Sequence, residues 1–266
     1  MINPQLPEVF QSVIAFGALK SYHPLRKSSR TGNLVILFLL WAGAVVAVLY
    51  GVYEAYTWRR YGPVMIQDRL QTPLIVAFIL FVIGIFVVWS LFANWKKAAA
   101  VYERGLAYSS RKGLELWQWE QVARLFVAIT RHYTNGVYTG TTHVYTLMDN
   151  QSRKLVLNDS LEQIEALGQS VEAQTFPLLY ASASSQYNSG VAVSFGPVLL
   201  SKAGLQFNKK VYPWADVKQV SIKRGVLQVA RKDGGLFSGA SVAVSGIPNL
   251  RVLLSILDQV VGIKTA

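Results

Sequence analysis

Residues 73–95 read PLIVAFILFVIGIFVVWSLFANW, and Lys96-Lys97 follows at once. No charged residue lies between Arg69 and Lys96. A helix of about 20 apolar residues crosses the hydrocarbon core of a bilayer, so this stretch is long enough to span one. Residues 33–53 form a second such run, free of charge from Arg30 to Glu54. Together they predict a transmembrane helical hairpin over residues 33–97, with spans at 33–53 and 73–95. A cleaved signal peptide fits poorly, because its basic lead is short and its apolar region is about 7–15 residues.

The rest of the composition agrees. Hydrophobic residues make up 52 % of the 266, charged residues 15 %, and the mean hydropathy is +0.31. Soluble domains carry about 25 % charged residues. Cysteine is absent, which excludes a disulfide framework, a thiol nucleophile and a thiolate metal site. The net charge of +12 is uneven. Residues 1–95 carry +4, residues 96–175 carry +1 and residues 176–266 carry +7. Such a balance suits the cytoplasmic segments of a membrane protein better than a nucleic-acid partner.

Charge also orients the hairpin. The flanks hold Lys20, Arg26, Lys27, Arg30, Lys96, Lys97 and Arg104, whereas the link from Glu54 to Thr72 holds Arg59, Arg60 and Arg69. The excess on the flanks predicts both termini in the cytoplasm. Tyr56, Trp58, Tyr61, Trp41, Trp89 and Trp95 suit interfacial belts. Gly43, Ala47 and Gly51 form a small-residue row on one face of the first span. Such rows let helix backbones approach closely, here against the second span or in a dimer seam. Residues 1–32 are an amphipathic lead, with Val9, Phe10, Val13, Ile14 and Phe16 near helical spacing. That lead either lies on the membrane surface or packs against the later domains.

After Lys97 the period changes to strands. Residues 102–108, 113–119 and 123–133 alternate, Asn135-Gly136 marks a hairpin, and 137–148 and 153–157 return. Ser160 and Gln163 read as a capping box for a helix with Leu161, Ile164, Leu167 and Val171 on its apolar stripe. This unit covers 98–175, and a Ser/Ala-rich connector covers 176–190. Residues 191–266 then repeat it. Gly105-Leu-Ala-Tyr108 and Trp119-Glu-Gln-Val122 answer to Gly204-Leu-Gln-Phe207 and Trp214-Ala-Asp-Val217. Turns follow at Arg224-Gly225 and Asp233-Gly234, with a strand at 241–245. A last helix starts near Asn249, shows Leu250, Leu253, Leu254, Leu257 and Val261, and stops at Gly262. Trp119 and Trp214 read as anchors of a strand start against the closing helix.

The sequences GLQF, VYPWADV and SGIPNLRVLLSILDQVVG, with YERGLAY, WQWEQV and TRHYTNGVYTGTTHVYTL, resemble bacterial pleckstrin-homology-like (PH-like) domains. In particular they look like a bacterial membrane-protein family of unknown function, over residues 96–262. The resemblance implies, twice over, a curved antiparallel sheet or partly open barrel with a C-terminal helix. It implies no catalytic residue. The fold class is therefore a membrane helical hairpin plus α+β, with two PH-like units.

No GxSxG, HExxH, Walker loop or paired-carboxylate pattern is present, so the sequence points away from an enzyme and from any cofactor. His132 and His143 flank the Asn135-Gly136 turn with no carboxylate near them in sequence, a poor metal site. The hairpin residues Arg131, His132, Tyr133, Tyr138 and His143 are candidate contact residues. Lys209, Lys210, Lys223, Arg224, Arg231 and Lys232 sit at or beside turns of the second unit and are candidates for contact with lipid or a partner. The expectation is a non-catalytic scaffold in the bacterial inner membrane, multi-pass, presenting tandem PH-like domains to a protein partner or to itself. The alternative is an anionic-headgroup sensor acting through the basic second domain. Membrane lipids and a protein partner or homo-oligomer are the expected partners; nucleic acid and a small-molecule substrate are not.

Overall fold

The computed structural model of the chain describes residues 7–207, 210–232 and 239–265. A short helix α1 (Glu8–Gln11) and a 3-10 turn lead into strand β1 (Leu19–Pro24). Two long helices follow, α2 (Lys27–Trp58) and α3 (Pro63–Asn94). Strands β2 (Ala98–Tyr102), β3 (Gly105–Ser110), β4 (Gly113–Gln118), β5 (Val122–Thr134), β6 (Val137–Asp149) and β7 (Lys154–Asn158) precede helix α4 (Ile164–Asn188). Strands β8 (Val193–Phe195), β9 (Val198–Ser201), β10 (Gly204–Phe207), β11 (Lys210–Pro213), β12 (Val217–Lys223), β13 (Val226–Arg231) and β14 (Ala240–Ala243) precede helix α5 (Leu250–Val261) and strand β15 (Ile263–Thr265). The expected turn at Asp233-Gly234 lies outside the described residues.

The chain divides into two compact units. One, Pro24–Ala98 with Ser109–Leu114, is built on the helical hairpin. Each helix has 32 residues, about 48 Å at 1.5 Å per residue. The helices thus outrun the apolar segments that mark them in the sequence. Of the expected link from Glu54 to Thr72, only the 3-10 turn Arg59–Tyr61 and Gly62 depart from α-helix. Hydropathy marks where the side chains are apolar; backbone hydrogen bonding carries the helix on through polar turns. The small-residue row faces α3. A Cβ at Gly51 would stand 2.9 Å from the Pro73 ring, and one at Gly43 would stand 3.3 Å from Leu80. Trp41 fills the space beside Gly84 and stacks on Phe81 at 6.3 Å. The outer faces are apolar and uncovered within the chain: Phe38 is 71 % exposed and Phe86 66 %.

The other unit holds both strand-rich halves. In the first, β1-β2-β3-β4 form one sheet and β5-β6-β7 another. In the second, β8-β9-β10-β11 form one sheet, and β12, β13, β14 with the parallel strand β15 form another. Each half closes with a helix. The two halves therefore share four strands, three strands and a helix in the same order. Their tryptophans do the same work. Trp119 donates its indole N–H to Tyr102 O at 3.3 Å and its backbone N–H to Arg104 O at 3.2 Å. Trp214 donates to Ser201 O at 3.1 Å and Ala203 O at 3.2 Å. Each thus staples its strand to the turn between the second and third strands. Trp119 also belongs to the buried core that holds Ile164 and Leu167 of α4, and Trp214 packs against the core that holds Leu253 and Leu257 of α5.

The halves differ at their first connection. Phe195 and Val198 pair directly, so β8 turns into β9 through Gly196-Pro197 alone. The corresponding strands β1 and β2 are separated by α2 and α3. They remain neighbours in one sheet, and Glu103 N donates to Ala18 O at 3.1 Å, which places the end of β2 beside the start of β1. The helical hairpin is thus an insertion in the first turn of a β module. The N-terminal lead belongs to that module as well. Phe10, Val13 and Phe16 are buried, and the Tyr102 hydroxyl donates to Phe10 O at 2.6 Å. Of the two readings of the lead, packing against the later domains is the one observed.

Helix α4 is continuous over 25 residues, through Pro177. Residues 176–190, expected as a connector, are largely its C-terminal half. Ile164, Leu167 and Val171 close the first core, while Ala183 and Tyr187 belong to the second. A proline inside a helix forfeits a hydrogen bond and crowds the preceding turn. Burial of Phe176, Leu179 and Tyr180 against the second core offsets that loss. The capping box is not formed. Gln163 adopts a left-handed conformation with no side-chain cap, and Ser160 bonds the Asn158 carboxamide.

Candidate functional site

Three places in the β-rich unit collect polar or exposed chemistry. The first is the β5–β6 hairpin. Asn135 and Gly136 both take positive φ, 51° and 80°, the turn geometry that hairpins prefer. Twelve residue pairs form across the two strands, with a register shift between His132 and Tyr133. His132 lies opposite Gly140 and His143 opposite Ile129, so the two histidines are not cross-strand partners. His132 Nε2 meets Thr142 Oγ1 at 2.7 Å instead. Tyr133 and Tyr138 face each other edge-on at 5.9 Å.

His143 corrects the sequence reading more sharply. It is 7 % exposed and has carboxylates at both ring nitrogens: Asp159 Oδ1 at 3.0 Å and Glu165 Oε1 at 2.8 Å. Its backbone N–H donates to Asp159 Oδ2 at 2.7 Å. Both acids come from the segment that leads into and begins α4, so only the fold brings them near. The arrangement ties β6 to the start of α4. Glu165 is largely solvated and its share of that tie is small. With both nitrogens engaged, neither is turned toward a ligand. Among the described residues no group of three or more His, Cys, Asp or Glu is placed to hold a metal ion.

Two further buried polar groups serve the framework. His23, on β1, places Nδ1 3.0 Å from Glu162 O and Nε2 3.0 Å from Ser21 Oγ. A carbonyl only accepts, so Nδ1 carries the proton. Burial lowers the His23 pKa from its ordinary 6.5, against a smaller opposing pull from the Glu162 carbonyl. Asp149 organises the β6–β7 turn by accepting from Gln151 N, Arg153 N and Arg153 Nε. Burial alone would raise its carboxyl; those hydrogen bonds outweigh burial and hold it below the usual range.

The second place is the junction of the modules. Asn249 adopts φ 52° just ahead of α5. Its amide Nδ2 donates to Ala123 O at 2.9 Å, and its Oδ1 accepts from Leu125 N at 2.8 Å. Its backbone N–H donates to Leu125 O at 2.8 Å. One residue thus satisfies the outer edge of β5 beside the irregularity at Val122–Arg124. Sequence reasoning sees Asn249 only as a helix start, because an asparagine there reads the same whether it caps its own helix or reaches another module. Beside it Leu125, Val127, Glu172, Phe176 and Arg251 line a small cleft that is partly open to solvent. Burial raises the Glu172 carboxyl, Arg251 pulls it the other way, and the Arg251 guanidinium lies 4.8 Å over the Phe176 ring.

The third place is the basic set of the second module. Lys209 lies outside the described residues. Lys210 opens β11, its ammonium 5.6 Å from the Tyr212 ring. Lys223 and Arg224 stand at the β12–β13 turn, where Arg224 takes φ 50°. Arg231 pairs with Val217 at the opposite end of that hairpin and donates to Asp216 Oδ2 at 3.2 Å. Lys232 follows it. The register therefore separates Lys223-Arg224 from Arg231-Lys232 by the length of the hairpin, and Arg231 has a counter-charge.

These features define a duplicated β unit whose first turn carries a long apolar helical hairpin. The chain belongs to a family of unknown function, DUF6585, which matches residues 13–263 and so spans hairpin and both modules. No curated protein matches the chain.

Proposed function

We propose that the protein is a non-catalytic, membrane-anchored adaptor. In this reading α2 and α3 cross a bilayer, and each set of seven strands and a helix is a PH-like module held at its surface. One observation carries the reading: a module that needs only Gly196-Pro197 to join its first two strands has, in its copy, two 32-residue helices at that position. The most apolar 18-residue stretches of the two have mean hydropathies of 2.5 and 3.0, and little of either stretch is buried within the chain. Apolar surface on that scale is costly in water and free of cost in lipid. The strand count and closing helix of each module support the PH-like assignment. The arrangement suits a bacterial inner membrane with both termini on the cytoplasmic side.

The test is fractionation and cross-linking of the full chain. The protein should stay with membranes through high salt and alkaline washing, leave them only in detergent, and carry a stoichiometric partner or a second copy. Release by alkali refutes the anchor. A lone monomer after cross-linking in intact membranes refutes the adaptor. A second reading, headgroup binding by the basic module, draws on Lys210, Lys223 and Arg224. Flotation with anionic liposomes, unchanged by charge reversal at those three, removes it.

A further inference from the structure

The two modules share strand order, closing helix and tryptophan staples, yet one hairpin differs greatly. Strands β12 and β13 have 7 and 6 residues; their counterparts β5 and β6 have 13 each. Strand β7 pairs only with residues 144–148. Beyond it, among the described residues, 129–134 and 137–143 have no strand partner except each other. They form an arm about 20 Å long at about 3.3 Å per residue. The second module folds without such an extension, so the core does not require it.

The arm is braced and apolar at its tip. Across the strands His132 bonds Thr142 and Tyr133 packs edge-on against Tyr138, while along β6 the Tyr138 and Thr141 hydroxyls meet at 2.8 Å. Ile129 is 56 % exposed, Tyr133 60 %, Val137 67 % and Tyr138 56 %. No Asp or Glu occurs between Glu120 and Asp149, whereas Arg124 and Arg131 do. Tyrosine prefers the boundary between headgroups and acyl chains, with its ring apolar and its hydroxyl wet. Arginine beside it favours an anionic surface. The bulge at His132–Tyr133 interrupts the free edge, which hinders a second strand from adding along it.

We propose that this arm is a membrane-contact element, its Tyr133–Val137–Tyr138 tip seated in the interfacial layer of an anionic bilayer. The proposal rests on the membrane-anchor reading and goes beyond it, because it assigns a second lipid contact outside the helices. That contact would fix how the β unit stands on the surface, and would be sensitive to lipid charge where the helices are not.

The chain contains no cysteine, so a single Val137→Cys in the full-length protein carries a polarity-sensitive fluorophore cleanly. A Gln228→Cys protein, labelled on an exposed strand position of the second module, is the control. Both are reconstituted into nanodiscs of phosphatidylcholine, with or without phosphatidylglycerol. The Val137 label should shift to the blue in phosphatidylglycerol discs, less so in phosphatidylcholine alone, and the Gln228 label should not. Arg131→Gln should lower the seated fraction about five-fold at low salt. Tyr133→Ser with Tyr138→Ser should abolish the shift while the protein stays in the disc. A water-like spectrum in every disc overturns the proposal and leaves the anchor standing; failure to enter discs at all overturns both. A shift lost on dilution to one protein per disc assigns the arm to contact between copies and also overturns the proposal.

Discussion

Replacing Asn249 tests whether one residue fastens the two modules. Asn249→Ala removes the bonds from Leu125 N and to Ala123 O. Each is worth about 1 kcal/mol net. It also forces a residue with a Cβ and no compensating polar group into φ 52°, at a cost of roughly 1 kcal/mol or somewhat more. The sum is about 3 kcal/mol. For a unit of this size that lowers Tm by about 6–12 °C. Asn249→Gly keeps the backbone at ease and loses only the side-chain bonds, so it should cost about 2 kcal/mol. Asn249→Asp retains an acceptor for Leu125 N but loses the donor to Ala123 O and sets a carboxylate against that carbonyl. It should fall near or below the glycine variant. Thermal unfolding of the detergent-solubilised chain, followed by tryptophan fluorescence, gives the ranking, and hydrogen exchange at Leu125 gives the local effect. A glycine variant as stable as wild type, with Leu125 still protected, would refute the clamp. So would a large Tm loss with no change in exchange at Leu125, because the damage would then lie elsewhere.

Replacing residues 26–97 by a short Gly/Asn turn should yield a β unit that is soluble without detergent and retains the β-sheet circular dichroism of the native modules. Insoluble or unfolded product would show that the hairpin is integral to the first module rather than inserted in it. Burial of neutral His23 sets a pH dependence: with its pKa lowered in the folded state, its full contribution is present above about 6.5. That contribution is lost as pH falls from there through the folded value, because the unfolded chain takes up the proton first. Urea midpoints should drop over that window in wild type and stay flatter in His23→Asn; parallel curves would refute the assignment. Gly51→Leu should force α2 away from Pro73 at a cost of about 1–3 kcal/mol, read as greater distance between spin labels on the two helices. An unchanged distance would place the small-residue row outside the interface.

Periodicity was enough for much of the architecture. The apolar runs, the Asn135-Gly136 turn and the 3.6-residue stripe of Leu253 and Leu257 are local signals, each readable within a dozen residues. The duplication was legible because the two tryptophan steps are similar in sequence. Local signals also misled where a residue's partner is distant. Ser160 and Gln163 match a capping box, yet the chain enters α4 through a left-handed residue. Residues 176–190 look like a Ser/Ala-rich connector, yet most of them continue α4, which the second core holds together around Pro177. His143 has no acid beside it in sequence, yet Asp159 and Glu165 meet it in space.

The sequence by itself determined two long apolar helices and two similar runs of strands closed by helices, because hydropathy and side-chain period act over short spans. Only the tertiary structure decided that β1 pairs across the entire helical insertion to complete the first module. It alone decided that α4 serves both cores, that Asn249 of one module satisfies the edge of the other, and that one hairpin projects beyond its sheet. Those are pairings between distant residues. Their free energy comes from contacts that exist only once the chain has folded, and no local pattern encodes them.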